Sequence, residues 1–579
     1  MRGAYSWPLP FGATLLAPKR TRFRFWAPAQ RRVALDLLGG EPIEMTSAAG
    51  GWFEVEAPVG AGAAYRYRLD DGRSVPDPAA RAQRGDVHDP SLVVDPEAYR
   101  WRHAEWRGRP WHEAVLYELH VGAFGGFAGV ERALPRLAEL GITAVELMPV
   151  AEFPGARNWG YDGVLPFAPD SAYGTPEDLK SLIDAAHGHG LMIFLDVVYN
   201  HFGPDGNYIA SYAPQMFRQD VPTPWGAAID FRIEEVRRYF TGNALYWLTE
   251  YRFDGLRFDA AHAIADPQWL DEMAAEVRRT VEPGRHVHLV LEHDGNDATH
   301  LAPGRFDAQW NDDIHHVSHV LLTGERDGYY VDYADRPAAA LAKCLAEGFF
   351  HQGEVSEHRG APRGMPSAHL PPTAFVFFLQ NHDQIGNRAR GERLRSLARR
   401  PALDAAIALQ LLCPQIPLIF MGEETGARAP FLFFTDHNEE LAEAVRKGRR
   451  REFAKFGAFA GEDLPDPNAA STFEASIPRP DPEEGDAILA LYRDLLRLRR
   501  EEIQPRLDGA VSLGASAIGP AAVSASWRLS DGTVLTLVTN LGDADVEVEA
   551  PRGRLLFGPD GERSRSPSAS TRAYLDVPG

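Results

Sequence analysis

A chain of 579 residues is too long for one hydrophobic core, so several domains are expected. The formal net charge of −21 argues against nucleic acid or an anionic membrane as main partner and suits a neutral substrate. Cys344 and Cys413 each lie in an apolar helical pattern and read as free thiols of a reducing compartment. The stretch Met1–Pro8 lacks the apolar segment of a secretory signal, and no apolar run is long enough to span a bilayer, so a cytoplasmic location is expected.

Residues 1–95 read as all-β. Short alternating segments such as Thr21-Arg22-Phe23-Arg24-Phe25-Trp26 and Tyr65-Arg66-Tyr67-Arg68-Leu69 are separated by glycine turns, which predicts a small β-sandwich. A linker over 96–110 follows, and Trp101, Trp106 and Trp111 in and beside it are expected to pack between domains rather than to stack on a ligand.

From Ala114 the rhythm becomes apolar strand, polar loop, amphipathic helix. The strands are predicted at Ala114–Val121, Ile142–Pro149, Leu191–His201, Tyr251–His262, Val287–Glu292, Phe306–Asn311, Ala374–Asp383 and Ile416–Met421. Helices are predicted at Val130–Leu140, from Thr175 onward, up to about Glu250, at Pro267–Thr280, Ala402–Cys413 and Ala487–Arg500. A long loop from His201 to about Arg232, rich in proline, glycine and aromatics, is of a length usually tied to function. Eight strand–helix units over 111–505 close most naturally as a (β/α)8 barrel, whose chemistry sits at the carboxyl ends of its strands. Residues 506–579 return to alternating strands and predict a second, C-terminal β-sandwich.

The polar residues at those strand ends form a constellation: Tyr161, Asp196, His201, Arg257, Asp259, Glu292, His382 and Asp383. Arg257 and Asp259 share a strand face, which keeps a cation beside a carboxylate that must stay charged to act as a nucleophile. Glu292 follows Leu289-Val290-Leu291 with no cation beside it in sequence, so its pKa is expected to rise. A charged carboxylate beside a protonated one is the pairing of a retaining glycosidase, with an expected separation of about 5–5.5 Å. No Ser-His-Asp elbow, Walker loop or dinucleotide fingerprint is present, so no cofactor is expected. The Asp196, Asn200, His201 spacing is weak support for a metal, and no metal ligand is assigned.

Four stretches resemble the α-amylase superfamily, glycoside hydrolase family 13: Asp196-Val197-Val198-Tyr199-Asn200-His201, Gly255-Leu256-Arg257-Phe258-Asp259, the segment at Glu292, and Phe378-Leu379-Gln380-Asn381-His382-Asp383. The resemblance implies Asp259 as nucleophile, Glu292 as proton donor and Asp383 as stabiliser of the transition state. It also implies Tyr161, His201 and His382 around the sugar whose bond is cut, and Asp196 as a structural residue. It further implies that the N-terminal sandwich is of the immunoglobulin-like, carbohydrate-binding type shared with branching and debranching relatives.

Within the superfamily, Glu146–Pro154, Gln309–His316 and Pro430–His437 resemble the branch of maltooligosyltrehalose trehalohydrolases. That branch cuts the α-1,4 bond next to a terminal trehalose unit, so maltooligosyltrehalose and α-glucan oligosaccharides are the implied partners. Asn311, Asp312, Asp313, Asp436 and His437, on loops after the sixth and eighth strands, are then candidates to hold the leaving trehalose, with Arg257, His262 and Gln384 also in the substrate site. Two departures stand out: Thr425 where a tryptophan is expected after Gly422-Glu423-Glu424, and Leu291-Glu292-His293-Asp294 where an acidic pair after an alanine is expected. A 1,4-α-glucan branching enzyme is the alternative, and a non-enzymatic binding relative is disfavoured because all three acids are present.

Overall fold

In this computed structural model residues 4–453 and 464–578 are described; residues 1–3, 454–463 and 579, which include the start of the chain and part of the insertion before the last barrel helix, lie outside them. Eight parallel strands close into a barrel: β1 Leu116–Leu119, β2 Ala144–Leu147, β3 Met192–Val197, β4 Gly255–Phe258, β5 His288–Leu291, β6 Ala308–Trp310, β7 Phe375–Phe378 and β8 Ile416–Phe420. Closure is made by β8 pairing back onto β1, with Leu116 opposite Leu418. The predicted strands run longer than these because their last residues leave the ladder as polar loops.

Leu116, Ala144, Met192, Phe194, Val290, Ala308, Val376 and Leu418 fill the barrel, buried as the layered interior of this fold requires. Trp106 and Trp111 pack against that cluster. The Trp106 indole N–H donates to Asp254 Oδ1 at 2.9 Å and the Trp111 indole N–H to the Thr373 carbonyl at 2.8 Å. The two rings are therefore packing elements at the amino ends of the strands, remote from the catalytic rim.

The surrounding helices are α1 Phe127–Leu140, α2 Pro176–Gly188, α3 Glu234–Thr249, α4 Gln268–Thr280, α5 Asp312–Thr323, α6 Pro337–Glu347, α7 Arg400–Leu412 and α8 Gly485–Leu498. α2 opens with a capping box: Thr175 accepts from the Asp178 N–H and Asp178 answers the Thr175 N–H. α5 and α6 are additions to the sequence reading. Asn311 caps α5 and Asp312 and Asp313 form its first turn, so the segment expected as a loop is a helix start. The long stretch after β3 holds a hairpin of Phe217–Thr223 with Gly226–Ile229.

At the N-terminus two antiparallel sheets face each other, one built on Arg20–Trp26 and Trp52–Ala57, the other on Ala34–Leu37 and Ala64–Arg68. Alternate residues point inward, so Phe25 stacks on Tyr67 with centroids 4.2 Å apart and Phe23 meets Tyr65 edge-on at 4.8 Å. The C-terminal part is a five-stranded antiparallel sheet, Val511–Gly519, Ala522–Arg528, Val534–Asn540, Ser570–Asp576 and Arg554–Phe557, beside a two-stranded ribbon. It is tied to the barrel where the Thr571 hydroxyl donates to the Ala405 carbonyl of α7 at 2.7 Å. No helix among the described residues is long and apolar enough to cross a membrane.

Candidate active site

Strand register assembles the site. Asp196 on β3 lies opposite Arg257 on β4, and Arg257 lies opposite Val290 on β5. Two residues beyond those positions, past the ladder, stand Asp259 and Glu292, so parallel pairing makes them neighbours. Arg257 is fully buried and its guanidinium reaches three acids: Nη1 lies 2.8 Å from Asp196 Oδ2 and 3.1 Å from Asp259 Oδ1, and Nη2 lies 2.8 Å from Glu292 Oε2. Its flat face rests on the Trp310 ring, 4.3 Å from the centroid.

The expectation that Glu292 has no neighbouring cation is therefore corrected: adjacency in sequence missed a contact made across two strands. Its pKa is nevertheless raised to about 8, because burial outweighs Arg257, and Asp259, Asp383 and Asp312 add like charge. Glu292 Oε2 also accepts the Ala260 N–H at 2.8 Å. That contact depends on a tight turn: Ala260 has φ 39°, a left-handed conformation that a non-glycine residue adopts at a cost of about 1–2 kcal/mol. Asp259 receives a second donor, Asn200 Nδ2, at 3.0 Å. Asp383 is partly open to solvent and accepts from Asn387 Nδ2 at 3.1 Å.

A hydrogen-bonded chain runs along one wall. His382 Nδ1 donates to Glu118 Oε1 at 2.5 Å, its Nε2 lies 2.8 Å from the Tyr161 hydroxyl, and that hydroxyl donates to Asp196 Oδ2 at 2.6 Å. Burial disfavours a charged His382, but Glu118 and Asp383 prevail and raise its pKa to about 9. Asp196 is buried, and burial lifts its pKa to about 6 against the pull of Arg257. His201 meets the Tyr161 carbonyl at 3.0 Å and stacks on the half-exposed Trp225 ring of the hairpin, 4.8 Å between centroids.

The remaining sequence candidates divide. Asp312 is partly exposed, no hydrogen bond among the described residues reaches its carboxylate, and burial together with Asp294, Asp313 and Asp383 raises its pKa to about 7 against Arg363. Gln384 is partly exposed and accepts from the Tyr329 hydroxyl at 3.3 Å. His262 is exposed, its Nδ1 3.3 Å from the Asp294 N–H. Asn311 and Asp313, by contrast, are fully buried, which corrects their assignment to a sugar-reading loop. Asn311 caps α5 and donates to the Gly348 carbonyl at 2.8 Å. Asp313 accepts from Arg363 Nη1 (2.8 Å), Asn296 Nδ2 (2.8 Å), the N–H groups of Phe350 (2.7 Å) and His351 (3.1 Å), and the Tyr333 hydroxyl (2.5 Å).

Asp436 is pinned by Arg157 Nη2 at 2.5 Å and the Ala156 N–H at 3.0 Å, so it braces the loop after β2. His437 is buried with Nε2 3.5 Å from Asp162 Oδ2. The site residues that the sequence reading left out are Glu118 and Trp310, while Asn200, weighed there only as weak support for a metal, instead donates to Asp259; a lone acid inside the apolar run Leu116-Tyr117-Glu118-Leu119 was the signal for the first.

The chain is similar to known proteins along most of its length. Residues 93–221 match the family described as "Alpha amylase, catalytic domain" and residues 511–574 the one described as "Domain of unknown function (DUF3459)". The chain is 45% identical over 507 residues to a protein of Deinococcus radiodurans named malto-oligosyltrehalose trehalohydrolase, covering 86% of this chain and 82% of that one. It is 40% identical to a protein of the same name from Rhizobium sp., covering 93% and 94%. A crystal structure titled putative alpha amylase from Salmonella typhimurium superposes with a TM-score of 0.94 at 46% identity, over 98% of this chain and 100% of that one.

Proposed function

The chain belongs to the malto-oligosyltrehalose trehalohydrolases of the α-amylase superfamily, and from that premise we propose that it releases trehalose by retaining hydrolysis of the α-1,4 bond next to the trehalosyl unit of maltooligosyltrehalose. The observation that carries the chemistry is one guanidinium spanning Asp259 and Glu292, with Glu292 holding its proton to about pH 8. Asp259, whose charge is met by Arg257 and Asn200, attacks the anomeric carbon. Glu292 gives its proton to the glycosidic oxygen, and trehalose departs as a neutral alcohol.

The glycosyl ester on Asp259 has no charge. One of the like charges that raised Glu292 is thereby removed, and Glu292, now deprotonated, takes a proton from the incoming water. Asp383 adds negative charge beside the positive character that develops on the sugar ring. Tyr161, held by Asp196 and His382, and His201 form the wall against which that sugar rests. Asp312 and Gln384, both partly exposed at the rim, supply acceptors for sugar hydroxyls on the leaving side.

Incubation with trehalose-capped maltopentaose tests the reading. Free trehalose is expected, together with a maltooligosaccharide released in the α configuration at its new reducing end. New branch points would make the chain a branching enzyme, and unchanged substrate would overturn the proposal.

A further inference from the structure

The loop that follows Glu292 carries groups the glycosidase chemistry does not use. His293, Asp297 and His300 lie within eight residues of sequence, and one ligand-type atom from each falls within 4.8 Å of the others. His300 and Asp297 are each held on the side away from the cluster. His300 is buried and its Nδ1 lies 2.9 Å from Asp271 Oδ1, which leaves Nε2 free, 3.8 Å from Asp297 Oδ2. Asp271 is itself held by Arg305 at 2.9 Å. Asp297 spends Oδ1 on the Thr299 N–H at 2.9 Å and the Thr299 hydroxyl at 2.6 Å, which leaves Oδ2 free and aims it inward. The His293 Nδ1 atom is buried with no hydrogen-bond partner, a group whose orphaning in a protein interior costs about 1–3 kcal/mol unless something meets it.

We propose that His293, Asp297 and His300 bind a divalent transition-metal ion of the zinc class. Two imidazoles and a carboxylate are borderline ligands of the kind such ions take, and alkaline-earth ions prefer all-oxygen sets. The carboxylate of Asp271 on the outer nitrogen of His300 is the second-layer contact that fixes a metal-binding tautomer. Bonds of about 2.0–2.2 Å in tetrahedral array place ligand atoms about 3.4 Å apart, so the 3.8 Å gap closes with a small rotation of Asp297 on its loop. Three protein ligands leave one position open to water. Because His293 directly follows Glu292, the bound ion clamps the start of the loop that carries the proton donor.

The site is independent of the proposed activity, and so is its test. Full-length protein is stripped with a chelator, its fold checked by circular dichroism, and Zn2+ titrated by isothermal calorimetry. One ion per chain is expected, with affinity reduced at least about tenfold in His293→Ala and in Asp297→Asn, and also in Asp271→Asn, which touches the metal only through His300. Asp297 is only partly buried, so its variant keeps the fold even if a histidine variant does not. Substitution with Co2+ gives the visible bands of a low-coordinate nitrogen-and-oxygen site in the wild type and not in Asp297→Asn. Absence of one-to-one binding, or binding that survives both His293→Ala and Asp297→Asn unchanged, would overturn the proposal, since the ion would then sit on others of the 20 histidines.

Discussion

Asp312 and Asp313 are adjacent in sequence and opposite in consequence. Asp313 is fully buried and answers Arg363, which is itself nearly buried, along with two backbone N–H groups, an amide and a phenol. Asp313→Ala takes from the buried Arg363 guanidinium its nearest acid and leaves it Asp294 Oδ1 at 3.7 Å, and breaking a buried pair costs about 3–5 kcal/mol. It also strands the N–H groups of Phe350 and His351, so the upper half of that range is the better expectation. Asp312→Ala removes a carboxylate that accepts no hydrogen bond among the described residues and whose pKa is raised to about 7 by burial beside other acids, so the variant should be no less stable than the wild type, and more stable above about pH 7 where the charged form is disfavoured. Kinetically the order reverses. If Asp312 binds a sugar hydroxyl, its loss costs about 1.5–3 kcal/mol, roughly ten- to a hundredfold in kcat/KM. The assay pairs urea unfolding of each variant with kcat/KM on trehalose-capped and plain maltodextrin. Asp312→Ala should lower the ratio of the two kcat/KM values while the unfolding midpoint holds or rises. Asp313→Ala should shift the midpoint and, where folded, leave the ratio alone. A stable Asp313→Ala protein with an altered ratio would refute the division drawn from burial.

Asp259→Asn should fold as the wild type and lose at least ~10³-fold in activity, since the amide cannot form the ester; appreciable turnover by well-folded variant would remove Asp259 as nucleophile. In the pH profile of kcat/KM the active form carries a protonated Glu292, so rates should fall as pH rises through about 8. Glu292→Gln should abolish that limb with most of the activity, and a fluoride leaving group, which needs little protonation, should restore part of it. Two histidines should each weaken the fold in acid: burial lowers the pKa of His120 to about 4 and of His315 to about 3, both below the ordinary unfolded value. The unfolded chain therefore takes up protons first. Their contribution is complete above about pH 6.5 and is lost from there down towards pH 3–4, each tenfold difference in proton affinity between the folded and unfolded chain being worth about 1.4 kcal/mol. The check is the stability gap between the wild type and His315→Gln, which cannot titrate: a gap that does not change between pH 7 and 5 would contradict this.

The barrel was legible because each strand is an apolar run that ends in a polar residue, and that ending is where a parallel barrel keeps its chemistry. Asp259 and Asp383 declared themselves in that way. The start of α5 did not, because Asn311-Asp312-Asp313 is both a turn composition and a helix-capping one, and only the register of the following Ile314-His315-His316-Val317-Ser318-His319 decides between them. The partner of Asp313 was beyond reach for a different reason: Arg363 lies on a hairpin strand, Ala361–Gly364, fifty positions on, and a contact of that span leaves no local pattern. The three atoms proposed for the metal are local, but the sequence shows neither the orphaned nitrogen of His293 nor Asp271 behind His300.

Arg257 gives the sharpest case. Reading along β4, it belongs to Asp259; reading across the sheet, it belongs equally to Asp196 and Glu292. One cation among three acids cannot neutralise them all, so the buried acid with the most like-charged neighbours keeps a proton. That group is Glu292, and the protonation asymmetry expected from a missing cation is produced by a shared one. The distinction matters for mutation. Under the sequence reading, Arg257→Lys would disturb Asp259 alone. Under the structure it removes the fork whose two nitrogens stand beside Asp259 and Glu292, since an ammonium is a single point of charge and cannot meet both acids at once. The basic limb of the pH profile should therefore move upward in Arg257→Lys, and a limb that stays at about pH 8 would return Glu292 to an environment without Arg257.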